Sequence, residues 1–288
     1  MNHAASSIAI LIFLVFLVAP AGRAPAALAQ RYTDFSTKTP LEDGHVLIIG
    51  FVGGRESWDD KTQGVRKFAL ALRAQNHPGV FVETVRNNKR RAAIELIRNA
   101  FDRNRDGRLD ESEGASARLV VYGQSFGGAA VVKLARQLEK MKIPVLLTVQ
   151  IDSVGRNDGV IPANVIRAAN LFQRNGLIIR GERPICARDP SATEVIGNFE
   201  FDYRKRTIDI SGVSWIKKIF RSAHTKMDQD PAVWSLVEKL IMESISSSLG
   251  GAHAWCARVP RAGRLDPSAF GSPMPAGRGR TTRAHPRF

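Results

Sequence analysis

From His45 onward, short unbroken apolar runs alternate with longer segments whose apolar residues recur at helical spacing. His45 to Phe51 (HVLIIGF) leaves no room for polar alternation, the pattern of a strand buried on both faces. Gln63 to Ala74 follows as an amphipathic helix, closed by the turn Asn76-His77-Pro78-Gly79. The same pairing predicts a strand over Val80 to Val85 and a helix over Lys89 to Phe101. A strand over Leu119 to Tyr122 leads into a helix that ends near Met141, and Val145 to Ile151 is the next strand. Pro162 to Arg174 reads as a helix and Leu177 to Arg180 as a strand. Val195 to Tyr203 reads as a further strand, with Lys205 to Ile210 a candidate to pair with it. Asp230-Pro231 then opens the last helix, with an N-cap acceptor and a proline at its first turn. Val233, Leu236, Val237, Leu240, Ile241 and Ile245 line one face of it. This alternation predicts an α/β fold: a mostly parallel sheet with helices on both faces and ligands at the strands' carboxyl ends. The connections leave room for a minimal cap at most.

The two ends of the chain break the pattern. Ile8 to Val18 is apolar throughout, Pro20 and Gly22 interrupt it, and Ala27-Leu28-Ala29 supplies the small residues of a signal-peptidase site. Residues 1–29 therefore read as a signal peptide, with secretion or export to a periplasm as the expected destination. The run is shorter than the ~20 residues of a membrane span, so an uncleaved anchor is the weaker alternative. From residue 249 to 288 the chain is rich in Gly, Ala, Pro and Arg and has no apolar periodicity. Its seven arginines against Asp266 give the segment a net charge of +6, part of the +15 of the whole chain. That composition predicts a solvated, disordered basic tail, without the aromatic interleaving of a specific nucleic-acid binder. Residues 30–248 remain as one domain, ample for a single core. The two cysteines, Cys186 and Cys256, allow at most one disulfide, and Cys256 falls in the tail.

Between the strand at Leu119 and its helix stands Gly123-Gln124-Ser125-Phe126-Gly127, a G-x-S-x-G pattern. In that setting it predicts a nucleophile elbow, a turn so sharp that the serine is held in a strained conformation. The turn lifts the Ser125 hydroxyl above the sheet and aims the N–H of Phe126 at a developing oxyanion.

These parts, in this order, resemble the α/β-hydrolase superfamily over roughly residues 41 to 248. The resemblance implies a serine hydrolase working by acyl transfer, with an acid after a later strand and a histidine before the last helix. Of six histidines, His224 alone lies beyond Ser125 inside the folded region, in what reads as a loop. It is the expected general base, which a serine hydroxyl needs at neutral pH. The acid has three candidates. Asp152 follows the strand Val145 to Ile151 directly, whereas Glu182 and Asp189 stand one strand later, where most of the superfamily carries it. The second oxyanion donor is expected from Gly50-Phe51-Val52-Gly53-Gly54, with Phe51 chosen by analogy with lipases.

A second motif is independent of the first. Asp102, Asn104, Asp106, Arg108, Asp110 and Glu113 fall on the ligand positions of D-x-N-x-D-G-x-L-D-x-x-E, Arg108 through its backbone carbonyl. Gly107 fits the tight sixth position and Leu109 the apolar eighth. The loop resembles an EF-hand or dockerin-type calcium site, but the next strand begins too soon for a full exiting helix. A lone loop of this kind implies structural Ca2+ rather than a sensor.

The expected function is a secreted carboxylic ester hydrolase, esterase or lipase-like, acting on a small-molecule or lipid-like ester. Hydrolysis of another acyl bond, amide or thioester, would use the same machinery. A catalytically silent, calcium-stabilised binding module is the alternative outside enzymology.

Overall fold

The computed structural model describes residues 30–54, 56–176, 179–181, 184–212 and 222–249. The expected leader, the basic tail from residue 250 and Glu182 lie outside them. The apolar runs become six strands: β1 (Val46–Val52), β2 (Val80–Arg86), β3 (Leu119–Gln124), β4 (Val145–Ile151), β6 (Val165–Phe172) and β8 (Glu194–Glu200). They form one sheet in the order β2-β1-β3-β4-β6-β8. Every pairing in it is parallel. The short strands β5 (Val160–Ile161) and β7 (Cys186–Ala187) pair separately, also in parallel.

Helices cover both faces. On one side α1 (Gly64–Ala74), α5 (Ser222–Gln229) and α6 (Pro231–Leu249) bury Val65, Phe68, Leu72, Met227, Val233, Val237 and Ile241 against the sheet. On the other, α2 (Arg90–Phe101) and α4 (Phe126–Lys140) bury Leu96, Ile97, Val131, Leu134 and Leu138. The short helix α3 (Glu111–Ala115) stands between α2 and β3. Burying apolar surface from both faces of one sheet is the main source of stability in such a layered domain. Among the described residues no helix is long and apolar enough to cross a membrane.

Three expectations for elements fail. The segment expected as a helix over Pro162 to Arg174 is the strand β6. Arg167, Asn170 and Arg174 sit at helical spacing and mimic a solvent-facing stripe. Asn170 is in fact fully buried, donating from Nδ2 to Oδ1 of Asn198 on β8 at 3.2 Å. The expected strand over Leu177 to Arg180 is absent at 179–180, its first two residues lying outside the described set, and Lys205 to Ile210 forms no strand.

Among the described residues no crossover helix links β4 to β6 or β6 to β8, and these strands are joined by long connections. Amide side chains, Gln150 buried and Asn198 half-buried, hold these connections down. Gln150 Nε2 donates to the carbonyl of Asp158 at 3.0 Å, and Asn198 Oδ1 accepts the N–H of Ile185 at 2.7 Å. Buried backbone that lacks a helix or ladder needs such partners.

Candidate active site

The end of β3 and the start of α4 create the turn at Ser125. Its φ of 59° and ψ of −126° are conformations an L-residue rarely adopts. The glycines around it are required by close approach. A Cβ on Gly123 would lie 2.5 Å from the carbonyl oxygen of Gly127, and one on Gly127 would lie 2.1 Å from that of Phe51. The strained serine is held by its own backbone, its N–H donating to the carbonyl of Ile151 at 2.9 Å. Phe126 opens α4, so its N–H is one of the first-turn donors that no helical carbonyl can accept.

Asp152 lies at the carboxyl end of β4, fully buried and also at positive φ (43°). Its Oδ2 accepts from Nδ1 of His224 at 2.5 Å. An ionised carboxylate can only accept, so this contact assigns the tautomer with Nδ1–H toward Asp152 and a lone pair on Nε2. The structure thus brings His224 to Asp152 and not to Asp189, while Glu182 lies outside the described residues. Asp189 is bound locally to Ser191, whose hydroxyl holds its carboxyl below the usual range.

His224 sits on α5 rather than in a loop. That helix is docked on the start of α1: the N–H of Gly64 donates to Asp228 Oδ1 at 3.1 Å, and Lys67 Nζ to Gln229 Oε1 at 2.6 Å. A Cβ on Gly64 would come within 2.3 Å of the Asp228 carbonyl, so only glycine permits this approach. Behind the same helix, Trp234 Nε1 donates to that carbonyl at 2.7 Å.

Two residues of the site escape a reading by motif. Gln173, just past β6, donates from Nε2 to Asp152 Oδ2 at 3.0 Å. Its own amide is fixed by the carbonyl of Ile179 at 3.0 Å and the N–H of Gly176 at 2.8 Å. The signal was its place at a strand's carboxyl end beside Asp152, which the helical reading of the segment conceals. Gln124, the residue before the serine, donates from Nε2 to His224 Nε2 at 3.2 Å.

Phe51 lies elsewhere than expected. It belongs to β1, in register with Val85 and Gly123, so its backbone is committed to the sheet and its carbonyl faces Gly127. The chain leaves the strand at Gly53, where an added Cβ would stand 3.0 Å from Cβ of Ser125. The loop amides beside Ser125 are therefore those of Gly53 and Gly54. The N–H of Gly53 donates to Glu56 Oε2 at 3.0 Å, and Gly54 lines the cleft.

Ser125, His224 and Gln124 open into a cleft of about 490 Å³. Its walls include Glu56, Lys61, Gln63, Asp209, Thr225 and Asp228, and Ile210 is the one aliphatic hydrocarbon side chain among the described residues that line it.

Away from the cleft, the loop from Asp102 to Glu113 is wound around its own carboxylates. Asp102 Oδ2 accepts the N–H of Gly107 at 2.8 Å, Asp106 Oδ1 that of Arg108 at 2.8 Å, and Asn104 Oδ1 that of Asp106 at 2.9 Å. Glu113 Oε1 accepts the N–H of Arg103 at 2.9 Å, and Asp110 caps α3. Among the described residues no three His, Cys, Asp or Glu side chains converge as a metal cage. The donor set is nevertheless all oxygen. Asp102 and Glu113 are buried without a cationic partner among the described residues, an arrangement a hard cation would relieve.

No protein-family model matches the chain, and no curated protein sequence matches it either.

Proposed function

We propose that this protein is a serine hydrolase of carboxylic esters, an α/β-hydrolase in which Ser125, His224 and Asp152 form the triad. The observation that carries the reading is the 2.5 Å contact from His224 Nδ1 to Asp152, made at the same sheet end as a serine at positive φ. In the reaction His224 Nε2 takes the hydroxyl proton as Ser125 Oγ bonds to the ester carbonyl carbon. The oxyanion accepts from the N–H of Phe126 and from an amide of the Gly53-Gly54 turn. The imidazolium returns its proton to the departing alkoxide, leaving an acyl-enzyme. Water then adds to the acyl carbon by the same route in reverse, releasing acid and free serine. Asp152 keeps the imidazole in the required tautomer and offsets its charge.

Among the described residues the walls of the cleft are polar, which favours a small ester with polar substituents over a long acyl chain. The lipid-like substrate drawn from the sequence is the less favoured of the two. The leader sequence supports action outside the cytoplasm. Ca2+ held by the side chains of Asp102, Asn104, Asp106, Asp110 and Glu113 and the carbonyl of Arg108 would supply structural cross-linking and no chemistry. Labelling with a fluorophosphonate probe tests the enzyme reading, with Ser125→Ala as control. Covalent modification at Ser125 supports it, and no modification of folded protein leaves a binding module instead.

A further inference from the structure

Oγ of Ser125 makes no hydrogen bond among the described residues, while the base it requires is already engaged. The partner of His224 Nε2 is the side-chain amide of Gln124, itself buried at the cleft floor. With Nδ1 protonated toward Asp152, Nε2 can only accept, so the amide meets it with its NH2 end. The carbonyl end of the same amide lies against the loop that flanks the serine: a Cβ on Gly53 would stand 2.9 Å from Gln124 Oε1. One side chain therefore touches the base and the oxyanion-side loop together.

Resting on the triad reading above, we infer that Gln124 masks the base in the free protein. Its N–H occupies the lone pair that must take the serine proton, so the bond has to break within the bound complex before Nε2 can act. Gln124 is a positioning residue that acts through His224. A neutral hydrogen bond of this kind lowers the fraction of free base on the order of fivefold. The bond lies on the base while Asp152 orients the ring, so the effect of losing it belongs to the proton-transfer step rather than to ligand affinity.

The test compares wild type, Gln124→Met and Gln124→Glu by melting temperature, by rate of fluorophosphonate labelling and by 15N NMR of the His224 ring. Methionine keeps the bulk but removes the donor. Labelling should quicken about fivefold, through the maximal rate and not through probe affinity, and the Nε2 resonance should move as its hydrogen bond is lost. Glutamate keeps the shape but draws a proton onto Nε2, so labelling should slow in a variant of the same outline. If wild type labels at Ser125 and the methionine variant is folded yet no faster, the mask is refuted while the triad stands. An Nε2 resonance unchanged in the glutamate variant, where that variant melts like wild type, refutes it equally and does so even if the methionine variant misfolds. Wild type that is not labelled at Ser125 removes the triad reading and this inference with it.

Discussion

At the scale of single residues, the site depends on conformations that side chains alone cannot maintain. Ser125 and Asp152 both stand at positive φ, and each is pinned by the neighbouring strand: Ser125 N–H to the carbonyl of Ile151, Asp152 N–H to that of Leu171 at 2.7 Å. Such strain persists only where surroundings over-determine it. Ser125→Ala and His224→Ala should each lower turnover of a p-nitrophenyl ester by several orders of magnitude with the fold intact. The double variant should be no worse than either single one, because the two act as a unit. Retention of wild-type turnover by either single variant would remove the assignment. Asp152→Asn should cost roughly 10⁴ in kcat, since the amide would reverse the imidazole tautomer. Gln173→Leu tests the support behind the acid. It removes one donor from Asp152 while leaving the carboxylate, so kcat should fall about tenfold to a hundredfold with KM little changed. A loss confined to melting temperature would mean that Gln173 serves only the connection after β6.

At the scale of elements, the parts legible in the sequence were those with one unambiguous period. β1, β3 and β4 are buried on both faces and read as unbroken apolar runs; α1, α2 and α6 carry a single apolar face. β6 was illegible because its buried amide Asn170 looks polar in a sequence and is internal in the fold. Ser125, Asp152 and His224 could be read because motif and strand-end position name them, whereas Gln173 and Gln124 are defined only by what they touch. The connections that replace helices beyond β4 depend on polar anchors of the same kind. Glu139, at the end of α4, accepts the N–H of Ala163 at 3.1 Å and the guanidinium of Arg188, Nη1 at 2.9 Å. It thereby ties both connections to the elbow helix. The Arg188 hydrogen bond holds the Glu139 carboxyl below its usual range. Its stabilising effect is therefore complete above the ordinary glutamate value and is lost as pH falls through the lowered one. Glu139→Gln should melt earlier than wild type at neutral pH, and the two curves should converge in acid. A gap that stays constant down to low pH would exclude the ion pair as its cause.

At the scale of the whole molecule, the loop Asp102–Glu113 joins the end of α2 to the strand that delivers Ser125. Asp102 is the C-cap of α2 and Glu113 lies in α3, just ahead of β3, so their carboxylates reach across the base of the loop. Glu113 already accepts the N–H groups of Arg103 and Asn104, which closes the loop without a metal. Calcium there would replace repulsion among Asp102, Asp106, Asp110 and Glu113 with shared coordination. An ion that binds only the folded state adds stability with concentration, about 2.7 kcal/mol at a hundredfold excess over Kd. For a domain of this size that is roughly 5–10 °C in Tm. Chelation should lower Tm by that amount, and ester turnover at a temperature well below melting should remain. Asp102→Ala and Glu113→Gln should each melt near the chelated value and stop responding to calcium. Superimposable melting curves in calcium and in chelator would show that the backbone hydrogen bonds suffice and that the loop has no resident ion. Turnover that vanished on chelation without unfolding would instead place the metal's influence on the elbow itself, through β3, rather than on the stability of the domain.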